Sequence, residues 1–267
     1  PAWPRWNGWW TPSKSLSDPS DRSRVEAGMN TPAAPPARKP TARRIETRAL
    51  LIWLACAAAI WGFFNIASEV VEGDTDIVDH RLLLMLRQPS DLSDPIGPRW
   101  VEEAMRDITA LGGFTFLTIA TIVAVLLFSF HGKRRQAWIL AGTVLAAQIS
   151  SEVLKTFYDR PRPSLVPHHS YVYTQSFPSG HSALSAAVFL TLATLIASVE
   201  KRPSSKILIY VLALVATVGV GFSRVYLGVH WPSDVLAGWS LGATWAFGAW
   251  IVLEWMRRRD LGKESRG

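Results

Sequence analysis

A single cysteine, Cys56, stands in the 267 residues. That excludes an intrachain disulfide and leaves cysteine usage silent on redox compartment. Charge is also scarce. Only 18% of the residues are Asp, Glu, Lys or Arg, against about a quarter in an average soluble domain. The first 48 residues hold no apolar core of the kind a signal peptide needs. The long apolar runs that follow almost lack charged residues at helical period, which argues against six buried helices of a soluble bundle. What the chain has in excess is apolar surface: 49% hydrophobic residues and 13 Trp. These values describe a membrane protein.

Residues 1–48 are rich in Pro, Ser, Arg and Ala, and TPAAPPARKPTARR within them reads as a disordered basic tail. The chain opens on Pro1, and Met29 offers a more ordinary start, so residues 1–28 are expected to be an upstream extension. Six apolar runs follow, at 49–67, 111–130, 136–155, 181–199, 207–222 and 234–256. A spanning helix takes about 20 apolar residues, so the expected fold is an all-α bundle of six transmembrane helices over 49–256. A second basic tail occupies 257–267.

Lys and Arg set the orientation. RKPTARRIETR before the first run, HGKRRQ between the second and third, EKRPSSK between the fourth and fifth, and RRRDLGKESRG after the sixth are all basic. Six spans place all four on one side, which the positive-inside rule makes the cytoplasm, with both termini there. The net charge of +7 therefore reports membrane orientation and not a nucleic-acid partner. The 68–110 loop, with ten acidic residues against four Arg, falls on the opposite side, and WVEEAMRDITAL (100–111) within it has an amphipathic helical pattern.

Three polar clusters share that opposite side: KTFYDRPRP (155–163), FPSGHS (177–182) and SRVYLGVHWPSD (223–234). Ionisable groups at membrane depth are functional candidates by default. Lys155, Arg162 and Arg224 are cations suited to phosphate oxygens. Ser179 and Gly180 stand just before a helix whose first-turn amides form an anion cradle. His181 and His230 can move protons. Asp234, four residues after His230, is placed to hold one ring nitrogen and leave the other for a substrate. Taken singly, Arg224 reads as a snorkelling side chain and Asp234 as an ordinary N-cap. The eight together read as a site. Glu152 is a partner for Lys155 or for another helix and takes no catalytic role, His168 and His169 read as loop residues, and Trp53, Trp231 and Trp255 read as interfacial anchors.

Lys155 with Arg162-Pro163, Pro178-Ser179-Gly180-His181, and Ser223-Arg224 with His230 and Asp234 resemble the three-part signature of the type 2 phosphatidic acid phosphatase superfamily, position for position. The resemblance implies a membrane-bound phosphatase of lipid phosphates or pyrophosphates. In it His230 attacks phosphorus and forms a phosphohistidine, Asp234 orients His230, and His181 protonates the leaving oxygen. Lys155, Arg162, Ser179, Gly180 and Arg224 hold the phosphate. It also implies no metal and no other cofactor. Phosphatidic acid, phosphatidylglycerol phosphate and polyprenyl pyrophosphates are the candidate substrates, reached from the outer face of what reads as a bacterial inner membrane. The soluble haloperoxidases of the same superfamily are set aside by the six spans. A non-catalytic lipid-phosphate binding or transport protein of the same fold is the alternative. Oligomeric state is not legible.

Overall fold

Long apolar runs fold as helices in a bilayer because only a helix satisfies every backbone N–H and C=O within its own segment. The structure, a computed structural model, describes residues 41–164 and 175–264. Its helices are α1 (Thr41–Glu72), α2 (Asp76–Leu84), α3 (Arg99–Ala110), α4 (Phe114–Phe130), α5 (Arg134–Phe157), α6 (Gly180–Val199), α7 (Pro203–Tyr226) and α8 (Pro232–Glu264). Five are long and apolar enough to cross a membrane by themselves. The α3–α4 pair, bent by 47° at its break, is long and apolar enough only when its two helices are taken together, which makes five to six candidate spans among the described residues. The chain is an all-α integral membrane protein. The described residues from Arg43 onward form one compact unit.

The helices overrun the apolar runs that announce them. α1 starts at Thr41, inside the stretch expected as tail, and α8 continues to Glu264 through most of the expected 257–267 tail. Hydropathy marks where a helix is greasy, whereas backbone hydrogen bonding continues until something stops it. In α8 the extension is supported by Glu254, which pairs with Arg257 at 2.8 Å and Arg258 at 2.9 Å. At about 1.5 Å per residue this helix of 33 residues is ~50 Å long, well beyond a hydrocarbon core of ~30 Å.

Packing follows from small residues. α6 is the central helix: two-thirds of its apolar window is buried, more than in any other candidate span. It is Ala- and Ser-rich, with Ser182, Ala183, Ala186 and Ala187 fully or almost fully enclosed. α8 lies directly against it through Gly238 and Gly242. A Cβ at Gly238 would stand 2.6 Å from the Ser179 carbonyl oxygen, and one at Gly242 would stand 2.3 Å from that of Ala183. Glycines one helical turn apart thus let two backbones touch, which is how membrane helices gain packing without a hydrophobic drive between them. The outward faces of α1, α4 and α7 carry exposed Trp61, Phe64, Ile119, Ile122, Leu208 and Val215. In a bilayer this is lipid-facing surface.

The 68–110 connection holds more structure than its sequence suggested. α2 sits in it, followed by a small antiparallel pair, β1 (Arg87–Gln88) with β2 (Asp91–Pro95), in which Arg87 opposes Pro95 and Gln88 opposes Asp91. The amphipathic helix expected at 100–111 is α3. The connection is pinned to the end of α7: buried Arg87 donates to the Tyr226 carbonyl at 2.6 Å, and the Tyr226 hydroxyl donates to the Ile96 carbonyl at 2.6 Å.

Candidate active site

The ends of α5, α6, α7 and α8 converge at one end of the bundle and bring the three polar clusters together. Lys155 lies in the last turn of α5. Its ammonium is 3.1 Å from Glu152, the first of the two partners open to that carboxylate. Ser179 is the N-cap of α6 and Gly180 its first residue. Ser179 accepts from the Ser182 hydroxyl at 3.0 Å and makes no side-chain cap bond to the first turn. A Cβ at Gly180 would meet the Lys155 ammonium nitrogen at 3.2 Å, so glycine is what lets this cation approach the start of the helix. A helix N-terminus with a cation over it attracts anions.

His230 lies in the turn between α7 and α8, only 2% exposed. Its Nδ1 is 3.4 Å from Asp234 Oδ2, and its Nε2 is 3.0 Å from an Arg162 guanidinium nitrogen. A guanidinium can only donate, so Nε2 is the acceptor and Nδ1 carries the hydrogen shared with Asp234. The imidazole is therefore neutral, with its lone pair turned away from Asp234 and towards the cations. Burial lowers the His230 pKa to about 3. The Asp234 hydrogen bond opposes that shift, and the charges of Arg224 and Arg162 reinforce it. Neutral His230 is the nucleophile-competent form at physiological pH.

Asp234 is fully buried at the start of α8. Besides His230 it accepts from the Trp231 amide at 2.9 Å and from the Ser176 hydroxyl. Its backbone carbonyl accepts from the Ser179 amide at 3.0 Å, which staples the start of α6 to the start of α8. Arg162 also donates to the Val229 carbonyl at 2.8 Å. Arg224 reaches the Thr109 hydroxyl at 3.1 Å, and its Nε is buried without a hydrogen-bond partner among the described residues. His181, one residue into α6, is within electrostatic range of Arg224, His230, Lys155 and Arg162. Gly112, at the α3–α4 break, is the residue against it: a Cβ there would stand 3.4 Å from the His181 ring and 2.3 Å from Val220. All eight residues singled out in the sequence thus lie in one neighbourhood. Chemically they amount to an oriented neutral imidazole, a second histidine and three cations around a helix N-terminus, a layout suited to a tetrahedral anion.

Sequence reading missed Arg160, Asp79, Ser176 and Thr109. Arg160 stood in plain view in DRPRP, but spacing offered no partner for it. In the structure it donates to Asp234 Oδ1 at 2.9 Å, Ser233 Oγ at 2.7 Å and Asp79 Oδ2 at 2.8 Å. Trp231, expected as an interfacial anchor, is only 8% exposed. It donates from its indole to the Pro161 carbonyl at 3.0 Å and lies against His80, so it is a wall of the site. Trp53 and Trp255 are exposed as anchors should be. His168 and His169 lie outside the described residues.

Comparison with known proteins points the same way. Residues 136–258 match the PAP2 superfamily. The chain is 35% identical over 195 residues to phosphatidylglycerophosphatase B of Bacillus subtilis, covering 72% of this chain and 86% of that one. It is 32% identical over 130 residues to an undecaprenyl-diphosphatase of Sulfolobus acidocaldarius, covering 47% of this chain and 59% of that one. Among solved structures it resembles the transmembrane PAP2 type phosphatidylglycerolphosphate phosphatase from Bacillus subtilis. The TM-score is 0.62 and the identity 29%, over 73% of this chain and 93% of that one.

Proposed function

Since this chain belongs to the PAP2 superfamily and is a phosphatase of that family, we propose that it hydrolyses a membrane lipid phosphate or pyrophosphate through a phosphohistidine on His230. The observation that carries this reading is the pair of bonds on one ring: Nδ1 to Asp234 and Nε2 to the cation Arg162. Together they set the tautomer and aim the reactive nitrogen into positive charge.

The phosphate enters between Lys155, Arg162, Arg224 and the first turn of α6, with Ser179 and Gly180 at its edge. Arg162 transfers its hydrogen bond from Nε2 to a phosphate oxygen, and the freed lone pair attacks phosphorus. Positive charge developing on the ring is met by Asp234. The three cations stabilise the spread of negative charge over the equatorial oxygens, the part of phosphoryl transfer that depends most on the protein. His181 gives its proton to the departing lipid oxygen or phosphate. Water, deprotonated by the now neutral His181, then attacks the phosphohistidine; phosphate leaves and His230 returns to neutral.

The site's end of the bundle is assigned to the outer face of a bacterial inner membrane, with the lipid tail remaining in the bilayer. The relatives' names span phosphatidylglycerophosphate and undecaprenyl diphosphate, so both head the substrate list. The test is a panel. Purified protein receives phosphatidic acid, phosphatidylglycerol phosphate, undecaprenyl diphosphate and lipid A, with and without excess EDTA, and released phosphate is measured. At least one lipid should be turned over with EDTA present, and vanadate should inhibit by imitating the five-coordinate transition state. No release from any lipid, or activity lost to EDTA and restored by Mg²⁺, would overturn the reading.

A further inference from the structure

Asp234 is held from two directions. His230, the Trp231 amide and the Ser176 hydroxyl bind Oδ2, whereas Oδ1 receives Arg160 at 2.9 Å. The Arg160 side chain is itself 9% exposed. Its second nitrogen turns away from the site to Asp79 at 2.8 Å, Asp76 at 3.2 Å and Thr75 at 3.2 Å. Asp79 is 2% exposed and comes from α2, in the 68–110 connection. It also accepts from the Ser233 amide at 2.9 Å and from the Ser233 hydroxyl, one residue before Asp234. Trp231 lies over the Arg160 guanidinium, 5.7 Å from its ring centroid. A buried charge is kept only when paired and hydrogen-bonded. This cluster pairs each one, Asp234 to Arg160 and Arg160 to Asp79, with the neutral imidazole hydrogen-bonded to Asp234.

We propose that Arg160 is a positioning residue for the reaction, clamping Asp234 in the rotamer that orients His230, and that Asp79 of α2 holds Arg160 in place from behind. The proposal rests on the reading of His230 as nucleophile. Arg160 reaches substrate only through Asp234 and His230. Burial alone would lower its pKa, but the Asp234 and Asp79 carboxylates outweigh burial and hold it above its ordinary value. It therefore remains a fixed positive charge two groups from the nucleophile.

That charge has a signed consequence. His230 faces Asp234, Arg162, Arg224 and His181. Arg160 faces Asp234, Asp79 and Asp76, with His80 and Asp159 lining the adjoining cavity of about 440 Å³. Asp234 favours the imidazolium, and Arg160 opposes it through Asp234. Removing the Arg160 charge makes His230 easier to protonate, so the acid limb of kcat/KM moves to higher pH. Keeping the charge but not the fork, as in Arg160→Lys, loosens Asp234 without that movement. Asp79→Asn retains the Arg160 charge, so its acid limb moves no higher than that of wild type.

The experiment is steady-state kinetics from about pH 2.5 to pH 8 on full-length wild type, Arg160→Met, Arg160→Lys and Asp79→Asn, with the best lipid of the panel. Substrate ionisation is common to all four and cancels in the comparison. A small misplacement of a reacting group costs roughly 10²-fold. Arg160→Met and Arg160→Lys should lose kcat on that order with KM within about twofold of wild type, and only Arg160→Met should shift its acid limb upward. If Arg160→Met does not fold, the loss of kcat at constant KM in Arg160→Lys and Asp79→Asn carries the test. Wild-type kcat in both of those, a rise in KM alone, or equal losses in the two Arg160 variants with unshifted limbs would overturn the proposal. Failure of the functional reading looks different. Wild type would turn over no lipid phosphate, or His230→Ala would still form a phosphoenzyme.

Discussion

His230 and His181 sit in one site but are held differently, and their proposed roles separate by experiment. His230 is fixed on both nitrogens, by Asp234 and Arg162, as a nucleophile should be. Every substrate needs a nucleophile, whatever its leaving group. A general acid matters in proportion to how badly the leaving oxygen needs a proton, and contributes roughly 10²–10⁴-fold. A lipid alkoxide leaves poorly, and a nitrophenolate leaves well. His181→Ala should therefore lose most of its lipid phosphatase activity and retain a larger share of nitrophenyl phosphate hydrolysis. His230→Ala should lose both and trap no phosphoenzyme. Equal losses on both substrates in His181→Ala would give it a phosphate-holding role, and a phosphohistidine surviving in His230→Ala would move the nucleophile elsewhere. At this scale the sequence was legible where chemistry recurs at short spacing. His230 and Asp234 are one helical turn apart, and Pro178 to His181 are consecutive. Arg160 and Asp79 are 81 positions apart, and no spacing rule joins them. Only the fold supplies that partner, just as it supplies Thr109 to Arg224.

Helices were legible as elements and much less so as lengths. Apolar runs located the five candidate spans and the α3–α4 pair, but α1 and α8 extend past their runs at both ends, because i to i+4 hydrogen bonds and ion pairs do not register in hydropathy. The α3–α4 break was half visible. The amphipathic 100–111 pattern and the apolar run from 111 were read separately, and Gly112 with Gly113 lies between the two helices. Tight approach of α8 to α6 was not read at all, although Gly238 and Gly242 have the spacing for it. It leads to a paired prediction. Gly242→Val drives side-chain atoms into the Ala183 backbone, where a Cβ alone would already stand 2.3 Å from the oxygen. Overpacking of this kind costs about 1–3 kcal/mol. Gly248, on the same helix, has open space where a Cβ would go, and alanine there relieves a helix-interior glycine worth about 0.5–1 kcal/mol. Thermal unfolding in detergent should show a lower midpoint for Gly242→Val and an unchanged or higher one for Gly248→Ala. A tolerated valine at 242 would mean that α6 and α8 are not in backbone contact.

At the scale of the whole molecule, charge and chemistry occupy opposite ends of the bundle. Lys133 and Arg135 at the start of α5, Lys206 in the first turn of α7 and Arg257 near the end of α8 line one cavity of about 590 Å³. Three of the four basic segments that the sequence placed together therefore converge in space. Lys155, His181, His230 and Asp234 lie at the other ends of these same helices. A bilayer must separate the two, since α5, α6, α7 and α8 each cross it. By the positive-inside rule we propose that the basic end is cytoplasmic and the site external. Burial geometry is the same whichever way the bundle is inserted, so this step rests on Lys and Arg alone and needs its own measurement. Single cysteines at Ser164 and Ser204 are suited to it. Both positions are exposed; Ser164 follows Pro163 at the site's end, and Ser204 opens α7 at the basic end. The background is Cys56→Ser, a buried position where the hydroxyl can still face the Thr244 carbonyl that the thiol meets at 4.0 Å. In intact cells a membrane-impermeant thiol reagent should label position 164 and leave 204 unlabelled until the membrane is permeabilised. Labelling of 204 and not 164 would invert the protein. It would place hydrolysis in the cytoplasmic leaflet and leave the His230–Asp234 chemistry as it is, because that chemistry depends on the bundle and not on the side it faces.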